Sequence, residues 1–266
     1  MQRDYISLWA LLLIAFVMFT VTSAFDMPPV ADYRFKSSGI YGELFAPRDT
    51  LHGVNAGIIP ATGADTLAAG DIFPVECDTT AQVILLAGDS MLEGLGPRLA
   101  AYADRNGHTL YTVIWYSSTS EKWGKSDKLR SYIEQLRPTY IIMCLGANEL
   151  FVSDISAKRD RYVKKIIADI DTIPYLWIGP PNWRSDTGIN DLIESNTPRG
   201  SFFRSEGMTF QRAKDGAHPT HSSAAAWMDS IVSWMPGCSR HPIRMETPDH
   251  NTGRPKRIFI HKPDEE

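Results

Sequence analysis

The chain has 266 residues, 43% apolar and 11% aromatic, which is ample for one packed core with flanking segments. Its 27 basic and 31 acidic residues leave a net charge of −4. No Lys/Arg run is long enough to form a phosphate-binding stripe, so nucleic acid is not an expected partner.

The amino terminus reads "MQRDYISLWALLLIAFVMFTVTSAFDMPP", in which Ile6 to Phe25 carries no charged residue. That run has about the length of a bilayer-spanning helix. Residues 1–25 are therefore expected to be a cleavable signal peptide, with "TSA" ahead of the cut, or an uncleaved membrane anchor. Arg3 precedes the run and the next basic residue is Arg34. The positive-inside bias then predicts an extracytoplasmic body, anchored in the inner membrane or secreted into the periplasm after cleavage. Residues 26–78 are rich in Pro, Gly, Ala and Thr without a sustained period and read as a stalk or linker.

From Ala81 the pattern changes. "AQVILLAG", "HTLYTVIWY", "TYIIMCLG" and "IPYLWIG" are short, continuous apolar runs, as expected of strands covered on both faces, and "SFFRS" is a weaker fifth. Helical patterns fall between them at about 92–105, 126–136, 158–170 and 220–235. Alternation of this kind predicts a three-layer α/β/α sandwich around a five-stranded parallel sheet, with chemistry at the carboxyl ends of the strands. The domain is expected over residues 79–237. Residues 238–266 are expected to be a mobile tail, although "RIFIH" has the makings of an edge strand.

Cys144 lies inside an apolar strand and reads as a buried thiol. Cys77 and Cys238 flank the domain, and in an oxidising compartment a bridge between them would close it.

Three short motifs carry the chemistry. In "GDS", Gly88 permits a tight strand-to-helix turn, Asp89 can hold free amides of that turn, and Ser90 is lifted to the positive end of a helix as a candidate nucleophile. In "DGAH", Asp215 stands three residues before His218. A carboxylate that fixes the histidine tautomer makes it the base a serine hydroxyl requires. In "GANE", Gly146 and Asn148 follow the third strand, where an asparagine amide can donate to an oxyanion. Trp183 of "GPPNW" ends the fourth strand and is read either as a sugar-stacking residue or as core. His218 and His221 lack a third ligand at metal spacing, so no metal and no cofactor are expected. Trp227 and Trp234 read as core packing.

With these motifs in this order, the sequence resembles the SGNH hydrolase superfamily, or GDSL esterases, over about 81–235. The resemblance implies a flavodoxin-like sheet, Ser90 as nucleophile, His218 as general base and Asp215 as its orienting acid. It also implies an oxyanion hole from the Ser90 amide, the Asn148 side chain and the amide of a loop residue after the second strand. That residue is usually glycine in the family. Here the loop is "YSSTSEKWG", with Ser118 nearest the expected position and Gly124 too late. Glu149, where many members carry Asp, reads as structural support. Asp89, Gly146 and Trp183 are expected to line the substrate cleft. An amino-terminal membrane segment ahead of such a domain also resembles the cell-envelope partners of membrane-bound O-acyltransferases. The expected activity is that of an esterase on O-acyl, above all O-acetyl, esters of carbohydrate or on small esters. Two alternatives stand beside it: an O-acetyltransferase working with such a membrane partner, and a silent membrane-tethered carbohydrate-binding module. The polar loops disfavour long-chain lipids.

Overall fold

Strand β1 (Val83–Gly88) occupies the centre of the sheet because its residues are apolar on both faces. Alternate side chains point to opposite sides. Ile84 and Leu86 pack with Leu95 and Leu99 of helix α1 (Leu92–Arg105) and with Trp227 and Ile231 of α6 (His221–Cys238). Leu85 and Ala87 join the opposite core, with Trp123 of α2 (Ser120–Lys125), Val163 and Ile166 of α4 (Ile155–Ile170) and Ile193 of α5 (Ile189–Asn196). Helix α3 (Lys128–Leu136) adds Leu129 to that second core. The computed structural model describes residues 75–263, and these three layers are built from them. The apolar run Ile6 to Phe25 and residues 26–74 of the expected stalk lie outside the described residues. Among the described residues, no helix is long and apolar enough to cross a membrane.

The other strands are β2 (Thr109–Trp115), β3 (Tyr140–Cys144), β4 (Tyr175–Ile178), β5 (Phe202–Phe203) and β6 (Arg257–His261). Their order is β5-β4-β3-β1-β2-β6, all parallel. The first five strands thus follow the flavodoxin-like 2-1-3-4-5 order. Two helices appear that periodicity did not predict, α2 and α5. Both are short, and both are defined by their starts: Thr119 caps α2 by accepting from Lys122 N at 3.3 Å, and Asp186 binds the first amides of α5.

The sheet has six strands where five were expected. The sixth comes from the segment expected to be a mobile tail, and hydrogen bonding explains its order. Past α6 the chain runs back along α1. Asn106 exchanges bonds with Glu246 (Nδ2 to O 3.0 Å, N to Oδ1 2.9 Å), His108 Nε2 lies 2.7 Å from Arg244 O, and Gly253 N donates to Pro97 O at 2.8 Å. Arg98 donates to Asp229 at 2.7 Å and to His250 O at 3.0 Å, tying α1, α6 and this segment together. The chain then pairs with β2 as "RIFIH", and Trp115 Nε1 donates to Lys262 O at 3.1 Å. These are backbone and buried polar contacts, which composition does not reveal.

Cys77 and Cys238 are both exposed free thiols, so the bridge between them is not formed. Asp78 bonds to Pro242 and Arg244 instead, which registers this segment with residues beyond Cys238. Cys144 is buried, as read from its strand.

A chain ending at Thr252 should lose about 2 kcal/mol of stability, because the Trp115 indole and the edge of β2 lose their partners. Thermal unfolding of the full and shortened chains measures this. Equal midpoints would return residues 253–263 to the status of a loose tail.

Candidate active site

Strands β1 and β3 are neighbours whose following connections diverge to opposite sides of the sheet. A crevice opens at their carboxyl ends at such a switch point. The two motifs that leave these strands meet there. Asp89 N donates to Cys144 O at 3.1 Å, binding the end of β1 to the end of β3. Gly88 is required at this contact, since a Cβ on it would collide with the Cys144 carbonyl oxygen.

Beyond Gly88 the chain turns into α1 at once, with Leu92 N on Asp89 O at 3.3 Å and Glu93 N on Ser90 O at 3.2 Å. Ser90 therefore stands at the first turn of the helix, half-buried, with its Oγ 2.8 Å from His218 Nε2. His218 Nδ1 lies 2.7 Å from Asp215 Oδ2. The loop carrying both is a narrow one, closed by Ala213 N on His218 O and Thr220 N on Gln211 O, each at 2.8 Å. Asp215 Oδ1 also accepts from Ala217 N at 2.9 Å and His218 N at 3.0 Å.

Those two backbone bonds, joined by the histidine, hold the Asp215 carboxyl down at about 2. The carboxylate is ionised and can only accept, so Nδ1 carries the ring proton. Nε2 of the neutral ring is then the acceptor for the Ser90 hydroxyl proton. The structure thus brings Ser90, His218 and Asp215 into one hydrogen-bonded chain able to activate a serine oxygen.

Asn148, from the turn after β3, donates through Nδ2 to Ser118 O at 2.9 Å. The second hydrogen of this amide has no partner among the described residues. Ser118 does not have the role expected of it. It is fully buried, its N–H donates to Trp115 O at 3.2 Å, and its Oγ accepts from Trp123 Nε1 at 3.0 Å. With its amide committed, Ser118 orients Asn148 rather than binding an oxyanion. The preceding residue keeps an uncommitted amide: Ser117 has φ 53°, in the region that favours glycine, and its N–H has no hydrogen-bond partner among the described residues. Sequence reasoning missed it because it sought a glycine, and a serine in left-handed backbone carries no local signal.

Glu149 fastens the two oxyanion turns together. Its fully buried carboxylate accepts from Ser120 N and Oγ, both at 2.8 Å, and from Arg159 Nε at 2.7 Å. Burial pushes its pKa up against the pull of Ser120 and Arg159.

Asp89 and Gly146 were expected in the substrate cleft and lie beneath it instead. Asp89 is fully buried, with Oδ1 accepting from Met91 N at 3.0 Å and Oδ2 without a hydrogen-bond partner. Gly146 is buried against Pro180 and Ile189, and its carbonyl accepts from Glu149 N at 2.9 Å. Their work is to shape the turns. Trp183 is half-buried and donates through Nε1 to Ala147 O at 3.0 Å, so its indole lies against the residue before Asn148. Away from that indole, Tyr116, next to Ser117, hydrogen-bonds to the Glu93 carboxylate, which pushes the phenol up to about 12.

Arg212 was not singled out by any motif. It donates to Ala217 O at 2.8 Å, Asn182 O at 2.9 Å and Pro181 O at 3.2 Å, with its guanidinium 4.9 Å from the Phe210 ring centre. It clamps the loop bearing His218 to the loop bearing Trp183.

No protein-family model matches the chain, and no curated protein sequence matches it. Among solved structures it is similar to the psychrotrophic esterase EstA from Pseudoalteromonas sp., in a structure inhibited by monoethylphosphonate. The identity is 15%, over 57% of this chain and 94% of that one, with a TM-score of 0.41. The functional roles assigned to residues of this chain rest on its own geometry.

Two expectations follow. In Arg212→Ala, amides of residues 182–184 and 213–218 should exchange about tenfold faster, the effect of losing roughly 1.4 kcal/mol of local stability; unchanged exchange in both loops would show that Arg212 does not join them. The second concerns Asp89, whose carboxyl is pushed up to about 7 by burial, with Glu149 adding to the rise and Met91, Ala147 and His218 opposing it. Between pH of about 4 and 7 the native state keeps a proton that the unfolded chain has released, so this group's contribution to stability falls as pH rises through that window and is level above it. Asp89→Asn removes the contribution. Urea unfolding from pH 4 to 8 should therefore show the parent losing stability relative to the variant up to about pH 7, and parallel curves would refute the buried protonation.

Proposed function

We propose that the chain is a serine esterase of the SGNH/GDSL kind that cleaves O-acyl, above all O-acetyl, esters of carbohydrate outside the cytoplasm. The observation that carries the reading is the unbroken hydrogen-bonded chain Asp215–His218–Ser90, set at the switch point of the sheet. Ser90 Oγ attacks the ester carbonyl as His218 Nε2 takes its proton. Negative charge develops on the former carbonyl oxygen and is received by the Ser90 and Ser117 N–H groups and the free hydrogen of Asn148 Nδ2. Collapse breaks the bond to the alcohol, which leaves with the proton from His218. Water then attacks the acyl-serine by the same route, with His218 as base, releasing the acid and restoring Ser90.

Asp215 holds the ring in the productive tautomer and stabilises the imidazolium that forms at each step. Its low pKa keeps it charged throughout the range in which a neutral histidine exists. A carbohydrate hydroxyl taking the place of water in the second half would make the chain an O-acetyltransferase. The uncharged run Ile6 to Phe25 supports that reading, since it would place the domain beside a membrane-bound O-acyltransferase. A silent binding module would have no use for a complete, correctly polarised triad.

Ser90→Ala should lower release of acetate from para-nitrophenyl acetate by about 10⁴-fold or more, with the thermal midpoint nearly unchanged. His218→Ala should match it. A serine-directed phosphonate should label the parent at Ser90 alone. Acetate formed without an acceptor identifies the esterase; acetyl transferred to an added polysaccharide, with little free acetate, identifies the transferase. Turnover that survives Ser90→Ala removes the mechanism.

A further inference from the structure

The rim of the crevice beside Asn148 carries a group that the acyl-transfer steps do not use. Phe151 follows the Asn148 turn by three positions and is 53% exposed, the one aromatic among the exposed large apolar side chains of the described residues. Its ring meets Trp183 edge-on, with centroids 6.4 Å apart. The guanidinium of Arg184 stands 5.3 Å from the Phe151 centroid and 5.0 Å from that of Trp183. Arg184 is exposed and forms no ion pair with the described residues. Asp186, two positions on, is committed to α5, accepting from Gly188 N, Ile189 N and Asn190 N between 2.8 and 3.0 Å.

The stacking has a chemical consequence. Aromatic faces hold a guanidinium plane in a fixed orientation and leave its N–H edge open, so less side-chain entropy is lost when that edge binds. Five fixed donors on an unpaired cation match a carboxylate or sulfate in bidentate fashion. The group is tied to the reacting centre through Trp183, whose Nε1 holds the carbonyl of Ala147, next to Asn148. Of the carboxylates in the surrounding loops, Asp215 is bound to His218 and Glu206 is paired with Arg204 at 2.6 Å, while Asp154 is exposed at the start of α4 and forms no ion pair with Arg184.

We propose that Arg184, held against Phe151 and Trp183, is a specificity-determining residue that binds an anionic substituent of the ester, so that the site selects substrates bearing a carboxylate or sulfate. This rests on the serine-esterase reading for its reaction, though not for its binding. The anion can belong to the alcohol or to the acyl portion of the ester.

The test compares para-nitrophenyl acetate, which is neutral, with para-carboxyphenyl acetate, anionic on the alcohol side, and para-nitrophenyl hemisuccinate, anionic on the acyl side. Arg184→Gln should lower the ratio of kcat/KM for one anionic ester over the neutral ester by about tenfold, mainly through KM. Arg184→Lys should restore part of it, having the charge without the planar fork. The arm that responds shows which side of the ester carries the anion. Ratios that Arg184→Gln leaves unchanged in both arms would overturn the proposal. Binding of para-carboxyphenyl acetate to the Ser90→Ala chain, read by tryptophan fluorescence, should weaken by a similar factor in Ser90→Ala/Arg184→Gln. If the parent hydrolyses none of the esters, the esterase reading fails while this titration still decides the role of Arg184.

Discussion

The close approach of Gly88 to Cys144 is the constraint on which the site depends. A strand-to-helix turn can lift a serine only if the strand ends abruptly, and β1 ends against the carbonyl of its neighbour with no room for a side chain. The resulting bond from Asp89 N to Cys144 O joins the nucleophile's turn to the turn that carries Asn148. Glu149 extends the same connection to the loop after β2 by holding Ser120 through both its amide and its hydroxyl. Three loops from three adjacent strands are thereby fixed to one another through buried contacts. An oxyanion hole works by donors already in place, so this rigidity is a condition of the chemistry proposed for it.

The carboxyl groups around the crevice divide by environment. Asp215 is in front, exposed, supplied with two backbone N–H groups and a histidine, and so charged. Asp89 is behind, fully buried and with one oxygen unpartnered, and burial outweighs the amides that would favour its charge. The difference is useful. A second full negative charge directly beneath Ser90 would oppose the oxyanion as it forms, and the rise of the Asp89 carboxyl to about 7 reduces that charge below neutral pH.

The sheet was legible because apolar runs such as "VILLAG" and "YIIMC" have only one comfortable place in a three-layer fold. The triad was legible as residue types at strand ends: "GDS" and "DGAH" specify local turns, and the parallel order of strands brings those turns to the same edge. What escaped depends on contacts between segments distant in sequence. Residues 239–263 look like a polar tail, yet their order comes from Asn106, His108 and Trp115, none of which advertises a partner. Ser118 was placed in the oxyanion hole by position alone. Its neighbour Ser117, the donor proposed in its place, has left-handed backbone and an unpaired N–H among the described residues, properties of the packed loop and not of the residue. Asp89 and Gly146 sit in motifs of the cleft but serve it from below.

The crevice finally has two kinds of wall. Its floor is made of turns bonded to one another at the sheet edge, Asp89 N to Cys144 O and Ser120 to Glu149. Its rim is carried by the 181–184 and 213–218 loops, which Arg212 joins by bonds to carbonyls from both. His218 belongs to this rim, so the Trp183–Arg184 ledge is joined to the base through Arg212 and to the Asn148 turn through Trp183 Nε1 on Ala147 O. A group that binds the ledge without changing these bonds contributes to affinity alone, because uniform binding of substrate and transition state lowers KM without raising turnover.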